Sequence, residues 1–203
     1  MIIGVSGYSG SGKDLVGTMI QFLASRNTAK VSLEEVLDFP INHEYWLEEQ
    51  SGWEIKKWAG KLKTIASMLT GIPVEKFEDQ QFKKTDLGPE WDMTVRDFLQ
   101  KLGTDAVRDG LHSNAWVNAL MSDYTNESKW VITDTRFPNE AEAIRKKDGI
   151  MIRVERSGVK PINNHPSETG LDDYTFDHVI KNNGSIEDLL LKVKSILQFH
   201  KIM

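Results

Sequence analysis

The amino-acid sequence predicts an α/β fold in which a parallel five-stranded sheet is flanked by helices. Short apolar runs, typical of strands covered on both faces, alternate with segments that have the periodicity of amphipathic helices. The chain opens with a strand-forming run that passes through a glycine-rich turn into a helix. Its 203 residues suffice for one such domain with an insertion. Alternation of this kind is typical of right-handed crossovers and parallel strands.

The predicted strands are short and apolar, as expected for a buried parallel sheet. They cover residues 1–6, 54–59, 130–134, 151–155 and 178–181.

The predicted helices begin and end at local signals. Thr94 and Ser185 each precede an aspartate by three residues, which approaches a capping box. Gly71 ends one helix, and Pro138 precedes another. The helices are placed at 14–25, 61–69, 94–102, 105–124 with a break near Gly110, 139–147 and 185–199.

Two stretches interrupt the alternation within a single predicted domain, 1–203. Residues 72–125 are helical without a clear strand and form an insertion, so that the core consists of 1–71 and 126–203. Residues 157–176 are polar and loop-like. The polar stretch 43–50 is expected to be solvated.

The glycine-rich turn has the spacing of a phosphate-binding loop, G-x-x-x-x-G-K, at Gly7, Gly12 and Lys13. Glycines allow the backbone to approach phosphate oxygens closely, and the following helix places the positive end of its dipole there. Lys13 can reach the β- and γ-phosphates. The loop residues expected to contact the donor are Ser9, Gly10, Ser11, Gly12, Lys13, Asp14 and Leu15. The alternative is a strand–helix turn without a ligand.

The residue after the lysine departs from this motif. A Ser or Thr usually ligates Mg²⁺ there, whereas this chain has Asp14. A carboxylate can hold a hard cation directly or through water. Its negative charge beside a polyphosphate would require a metal ion to screen it.

A second candidate segment follows the third predicted strand, where Asp134 precedes Arg136 by two residues. Ligands bind at the carboxyl ends of strands in open α/β sheets, which favours Asp134 as a Mg²⁺ carboxylate. Arg136 could then donate to phosphate oxygens. Alternatively, Asp134 caps a turn and Arg136 pairs with Glu140 or Glu142.

Further candidates have weaker signals. Arg108, with Lys63 and Gln100, could bind an acceptor phosphate, and Trp116 could stack on a base or belong to the core. Arg153 and Arg156 flank Glu155, and either arginine could neutralise the transferring phosphoryl group or pair with Glu155 at the surface. The turn at Asn183 and Gly184 could lie beside adenine or serve only as a helix cap.

Composition narrows the functional classes. A net charge of −5 does not favour a general nucleic-acid polymer surface, and the absence of cysteine excludes disulfides and thiolate metal sites. The sequence contains no apolar run long enough to indicate a membrane span or a signal peptide. Cytoplasm is therefore the expected location.

Together, these segments resemble the deoxynucleoside monophosphate kinases of tailed bacteriophages, within the P-loop kinase superfamily. The resemblance covers most of the chain. It rests on Gly12-Lys13-Asp14, Trp58-Ala59-x-x-Leu62-Lys63, Leu99-Gln100-x-Leu102-Gly103-Thr104 with Arg108, Trp116-Val117-Asn118-Ala119-Leu120, Thr133-Asp134-x-Arg136-Phe137-x-Asn139-Glu140 and Asn182-Asn183-Gly184-Ser185.

The resemblance implies phosphoryl transfer from ATP, with Mg²⁺, to a deoxynucleoside 5′-monophosphate. It implies a nucleotide-kinase fold in which 72–125 binds the acceptor and 157–176 is a lid. By motif match, Lys13 and the loop amides hold the donor, and Asp14 and Asp134 lie on the magnesium side. The acceptor or transferred group would contact Lys63, Gln100, Arg108, Trp116, Arg136 and, most loosely, the lid residue Arg156.

The resemblance also implies a small-molecule nucleotide substrate, a homodimer as one assembly, and the host cytoplasm as the location if a phage encodes the chain. Two rivals stay open. One is another small-molecule kinase of this fold, such as a dephospho-coenzyme A kinase or a nucleoside kinase. The other is a nucleotide-binding switch protein that transfers no phosphoryl group.

Overall fold

The computed structural model describes residues 1–25, 32, 34–35, 43–163 and 165–203. The chain divides into two compact units. The sheet unit consists of Met1–Lys57 and Thr125–Met203, and the helical unit consists of Trp58–Tyr124. The helical unit therefore begins at Trp58, fourteen residues before the predicted insertion at 72. The division into core, insertion and lid stays a prediction.

The sheet unit contains five parallel strands, as predicted from the alternating pattern. Their spatial order is β2-β3-β1-β4-β5, so β1 lies at the centre. The strands are β1 (Ile2–Ser6), β2 (Glu54–Lys56), β3 (Trp130–Ile132), β4 (Ile150–Glu155) and β5 (His178–Lys181).

Strands β2 and β3 are shorter than predicted. Glu54 pairs with Trp130 and Lys56 with Ile132, so their ladder spans three residues. Thr133 and Asp134 lie in the turn that follows β3. This placement leaves the Asp134 carboxylate at the carboxyl edge of the sheet, where ligands of open α/β sheets bind.

The helices of the sheet unit surround this sheet. They are α1 (Lys13–Ala24), α2 (His43–Ser51), α6 (Pro138–Arg145), α7 (Pro166–Thr169) and α8 (Ile186–Phe199). Helix α1 packs on β1, β2, β3, α2 and α8, whereas α6 packs on β1 and β4. Ser185 caps α8 with Asp188 in a capping box, as predicted. No helix in the described ranges has both the length and the apolar character of a bilayer crossing.

The two faces of β1 contact different helices. Ile3 and Val5 belong to a buried cluster with Val16 of α1. Gly4 points the opposite way, where an added Cβ would lie 2.5 Å from Ile144 of α6. This alternation follows from the two-residue period of a strand.

Two parts of the sheet unit differ from the expectations. The stretch 43–50, expected to be solvated, forms α2, whose Leu47 is fully buried in the main core. Leu47 and the partly buried Trp46 dock this mostly polar helix on the core. The polar segment 157–176 contains α7, where His165 caps a turn that has Pro166 at its first position. The sequence also predicts a helical turn at 33–37, and most of these residues lie outside the described ranges.

The helical unit contains α3 (Gly60–Thr70), α4 (Val95–Gln100) and α5 (Ala115–Met121). Short 3₁₀ turns at Val74–Glu78 and Phe82–Lys84 follow α3, and a π-helical segment, Lys101–Asp109, continues α4. The ends predicted at Thr94 and Gly71 are confirmed: Thr94 accepts from Asp97 N, and Gly71 is left-handed. The predicted break near Gly110 separates the π-helical segment from α5.

The helical unit has a core of its own. Its buried centre consists of Ala66, Phe77, Val95 and Phe98. Phe98 makes an edge-to-face contact with Trp91, their ring centroids 4.8 Å apart. The shared buried cluster holds α3, the first 3₁₀ turn and α4 together.

A histidine pair makes the stability of the sheet unit depend on pH. His178 Nε2 of β5 lies 2.7 Å from His200 Nε2 at the end of α8. Burial and the charge of His200 lower the pKa of His178, opposed by Asp177. The unfolded chain therefore binds a proton more readily than the folded one, and stability is lost as pH falls below about 6.5.

Thermal unfolding at two pH values tests this dependence. Between pH 7.5 and pH 5.5, Tm should fall more for wild type than for His178→Gln, because the variant lacks the titrating imidazole. Equal falls in Tm would contradict this expectation.

Candidate functional site

The loop between β1 and α1 is shaped as an anion cradle. Gly10 and Gly12 have φ angles of +84° and +99°, which a Cβ disfavours. A Cβ at Gly7 would lie 2.5 Å from the carbonyl oxygen of Val154, so the backbone there has no room for a side chain. The first N–H groups of α1 have no acceptor within the helix. The buried Ser11 Oγ has no hydrogen-bond partner within the described structure. A phosphate would fit such unsatisfied donors.

Lys13 lies at the centre of a charged cluster. Only 7% of the Lys13 surface is exposed to solvent, and burial lowers the pKa of its ammonium group. The charges of Asp14, Asp134 and Glu168 oppose this shift, and Arg136 reinforces it. The structure thus brings together Lys13, Asp14, Asp134 and Arg136, four residues predicted from two separate segments.

Asp14 and Asp134 supply carboxylates to this cluster. Asp14 Oδ1 accepts a hydrogen bond from Thr133 Oγ1 at 2.9 Å, and its side chain is 68% exposed. Within the described ranges, no group of three or more His, Cys, Asp or Glu could hold a metal by itself. Mg²⁺ commonly uses one or two carboxylates together with substrate phosphates. These two aspartates fit that ligand set.

Arg136 is held from two sides. Its backbone N–H donates to Glu140 Oε2 at 2.8 Å, and its Nη1 donates to Glu168 Oε1 at 2.7 Å. The predicted alternative partner Glu140 thus contacts the backbone of Arg136, whereas Glu168 contacts its guanidinium. The Glu140 carboxylate also accepts from Phe137 N and caps the first turn of α6. The guanidinium therefore pairs with Glu168 of α7.

A cleft of about 640 Å³ lies beside the glycine-rich loop. Its lining includes Arg153, whose guanidinium lies 4.7 Å from the ring centroid of Tyr8 and 5.7 Å from that of Phe176. Arg153 pairs with Asp172 at 3.0 Å, and Tyr8 Oη donates to the same carboxylate at 2.8 Å. This cluster links the loop to the 157–176 segment.

The turn after β5 contacts the loop as well. Asn182 Nδ2 donates to Ser11 O at 2.8 Å, and Asn183 Oδ1 accepts from Ser157 N at 2.7 Å. A Cβ at Gly184 would lie 2.4 Å from Asp188 Oδ2, so glycine fits the capping turn. Arg156 is exposed on the cleft lining. The donor contacts of Asn183 and Gly184, and the catalytic role of Arg156, stay predictions.

Four of the predicted acceptor residues, Lys63, Gln100, Arg108 and Trp116, lie in the helical unit, whereas Arg136 lies in the sheet unit. Lys63 is buried and pairs with Glu78. Arg108 Nη1 donates to Ser113 O at 3.2 Å. Lys63 therefore has an ion-pair partner that a phosphate would have to replace, and the binding roles of Lys63 and Arg108 stay predictions.

Trp116 and Gln100 are placed differently. The indole of Trp116 is buried, and its Nε1 donates to Gly103 O at 2.8 Å. This contact agrees with the core alternative, and stacking on a base stays a prediction. Gln100 is the last residue of α4 and is half-buried.

Sequence reasoning missed Glu168 as the partner of Arg136, and it missed the contacts that join Tyr8 and Arg153 to Asp172. A signal for Glu168 was present, since a capping residue followed by Pro166 is typical of a helix start. The partnership of Tyr8 with Asp172 joins residues 164 positions apart, and no local pattern indicates it.

Comparison with known proteins shows which family the chain is similar to. A family model described as deoxynucleotide monophosphate kinase matches residues 30–193. A mimivirus protein provisionally named a deoxynucleotide monophosphate kinase is 31% identical over 166 residues, which are 74% of this chain and 86% of the relative.

Two phage relatives have similar names. The deoxynucleotide monophosphate kinase of Escherichia phage RB69 is 31% identical over 143 residues, or 66% of this chain and 58% of the relative. The deoxynucleoside-5′-monophosphate kinase of Escherichia phage T5 is 26% identical over 238 residues, or 95% of this chain and 94% of the relative.

Proposed function

The chain belongs to the deoxynucleotide monophosphate kinase family, and from this premise we propose that it transfers a phosphoryl group from ATP to deoxynucleoside 5′-monophosphates. The family match over residues 30–193 carries the proposal. The cradle between β1 and α1, with Lys13 buried beside it, supports it from the chemistry of the site.

The residues of the cradle would act mainly by positioning. Phosphoryl transfer requires little covalent chemistry from the protein, which must align the groups and stabilise charge on the transferred phosphoryl. The loop N–H groups and Lys13 would hold the donor phosphates. Arg136, which is within electrostatic range of Lys13, would stabilise the transferring group.

Asp14 and Asp134 are charged neighbours of Lys13, and they would hold a divalent cation beside it. When bound, Mg²⁺ neutralises charge that develops on phosphoryl oxygens. Thr133 fixes one oxygen of Asp14, which leaves the second oxygen of that exposed carboxylate accessible.

The helical unit would bind the acceptor nucleotide. Lys63 and Arg108 would contact its phosphate, and Gln100 and Trp116 would lie near its sugar or base. A phosphate at Lys63 would have to compete with Glu78, its ion-pair partner in the structure. The homodimer, the cytoplasmic location and the absence of a nucleic-acid polymer partner stay predictions.

A panel of acceptors tests the proposed reaction. The protein is incubated with ATP, Mg²⁺ and each common deoxynucleoside or ribonucleoside monophosphate, and the products are separated by chromatography. We expect diphosphate products from deoxynucleoside monophosphates. Transfer only to dephospho-coenzyme A or to nucleosides would favour another small-molecule kinase, and slow hydrolysis without transfer would favour a switch protein.

Asp14→Asn is expected to raise the Mg²⁺ concentration that gives half-maximal activity by about tenfold. The substitution preserves size and the bond from Thr133, but an amide is a poorer ligand for a hard cation than a carboxylate. The measurement is a Mg²⁺ titration of initial rate at saturating ATP. An unchanged titration would remove the metal role of Asp14.

A further inference from the structure

Glu168 is a buried carboxylate to which the proposed reaction assigns no role. Its side chain is 2% exposed and accepts from Arg136 Nη1 at 2.7 Å. Burying an ionised carboxylate is costly unless it is paired and hydrogen-bonded. The pair with Arg136 therefore accounts for how Glu168 can be buried, and it couples α7 to the residue proposed to stabilise the phosphoryl group.

The backbone around Glu168 is held by contacts that do not depend on the ion pair of its side chain with Arg136. Glu168 N donates to His165 O at 2.8 Å, and Ser167 N donates to His165 Nδ1 at 3.2 Å. A Cβ on Gly170 would lie 2.9 Å from Arg136 O, so the end of α7 packs directly against the backbone after β3. These contacts fix the direction in which the Glu168 carboxylate points.

The guanidinium of Arg136 is consequently oriented by α7. Its Nη1 donates both to Ser167 O at 3.1 Å and to Glu168 Oε1. The other end of the residue is anchored by Glu140, which accepts from Arg136 N. An arginine held at both ends has little rotamer freedom to lose when it engages a phosphate.

Glu168 also belongs to the electrostatic surroundings of Lys13, where its charge opposes the effect of burial on the Lys13 pKa. The two cations of the cluster, Lys13 and Arg136, repel each other. A carboxylate near both reduces this repulsion. Glu168 thus helps to keep Arg136 close to Lys13.

We propose that Glu168 is a positioning residue that holds the Arg136 guanidinium in the orientation that serves the transferring phosphoryl group. The inference rests on the proposed kinase reaction. Glu168 itself would not contact the substrate, since its carboxylate would repel phosphate oxygens. Its loss should slow transfer while leaving ATP binding, which depends on Lys13 and the loop N–H groups, nearly unchanged.

A double-mutant cycle tests this role. Glu168→Gln keeps the side-chain shape but removes the charge, and kcat should fall about 30-fold with KM for ATP within about threefold of wild type. In the Arg136→Met background the same substitution should lower kcat by less than about twofold, because the partner is gone. Glu142→Gln, a substitution of an exposed carboxylate on α6, should leave kcat at the wild-type value.

The outcomes separate a positioning role from a structural one. Equal losses from Glu168→Gln in both backgrounds, or a fall in Tm without a fall in kcat, would overturn the inference. If Glu168→Gln does not fold, Glu168→Asp gives the same cycle with the charge kept and withdrawn by one methylene. Wild type is assayed in parallel, and its failure to transfer phosphoryl to any deoxynucleoside monophosphate would overturn the proposed function itself and this inference with it.

Discussion

Lys13→Met is expected to lower kcat by about 10²–10³-fold, the usual loss when one preorganised electrostatic donor is removed from a transition state. The Lys13 ammonium is the cation that the glycine-rich loop itself provides, and it is buried within the charged cluster. Methionine has a similar length without the charge. The expected loss is therefore one of transition-state stabilisation rather than of packing.

The Lys13 experiment combines steady-state kinetics with thermal unfolding. Burial disfavours the charged form of Lys13, so Tm of Lys13→Met should be no lower than that of wild type. Lys146→Met provides a matched control, because Lys146 is an exposed lysine just after α6 in the same unit. Near-normal kcat in Lys13→Met would refute the assignment of the cradle.

Arg136→Met is expected to lower kcat by about 10²-fold or more, since an arginine at a transferring phosphoryl group stabilises its charge strongly. Arg136→Lys keeps the charge but loses the fork of donors, and its kcat should be intermediate. A lysine equal to arginine in kcat would show that only charge is needed. Methionine equal to arginine would exclude Arg136 from the reaction.

Arg136→Met should also reduce stability, because it leaves the buried Glu168 carboxylate without its cation. Arg136 is partly exposed, so the cost should be about 1–3 kcal/mol, below that of a fully buried pair. Thermal unfolding measures this cost, and kinetics below the transition then report the catalytic effect alone. An unchanged Tm would mean that Glu168 becomes neutral or hydrated without difficulty.

Local features of the fold could be predicted because their causes are local. Ser185 and Asp188 form the expected capping box, and the left-handed Gly71 ends α3. The parallel order of the sheet followed from alternating strands and helices, whose crossovers leave few arrangements. The ends of strands are harder to predict from the sequence. Strand β2 ends where its partner β3 ends, and the sequence of one strand does not show which strand is its partner.

In the candidate site, too, local features can be predicted from the sequence and long-range pairings cannot. Lys13 and Asp14 are specified by the spacing of glycines around them, and Asp134 by its place after a buried strand. The ion pair of Arg136 with Glu168 could not be predicted, because the sequence places Glu140 four residues away and Glu168 thirty-two. Only the folded chain shows that Glu140 is already engaged with backbone N–H groups.

The phosphate cradle, the parallel sheet and the helix caps can be predicted from the amino-acid sequence alone, because glycine conformation, side-chain periodicity and capping act within a few residues. Long-range contacts, in contrast, set which polar side chains meet: Asp14 with Thr133, Arg136 with Glu168, and Arg153 with Asp172. Such partners depend on where the whole chain returns to the carboxyl edge of the sheet. Burial makes a partner necessary for Glu168 and Arg153, since a charge removed from water requires a partner within hydrogen-bond reach.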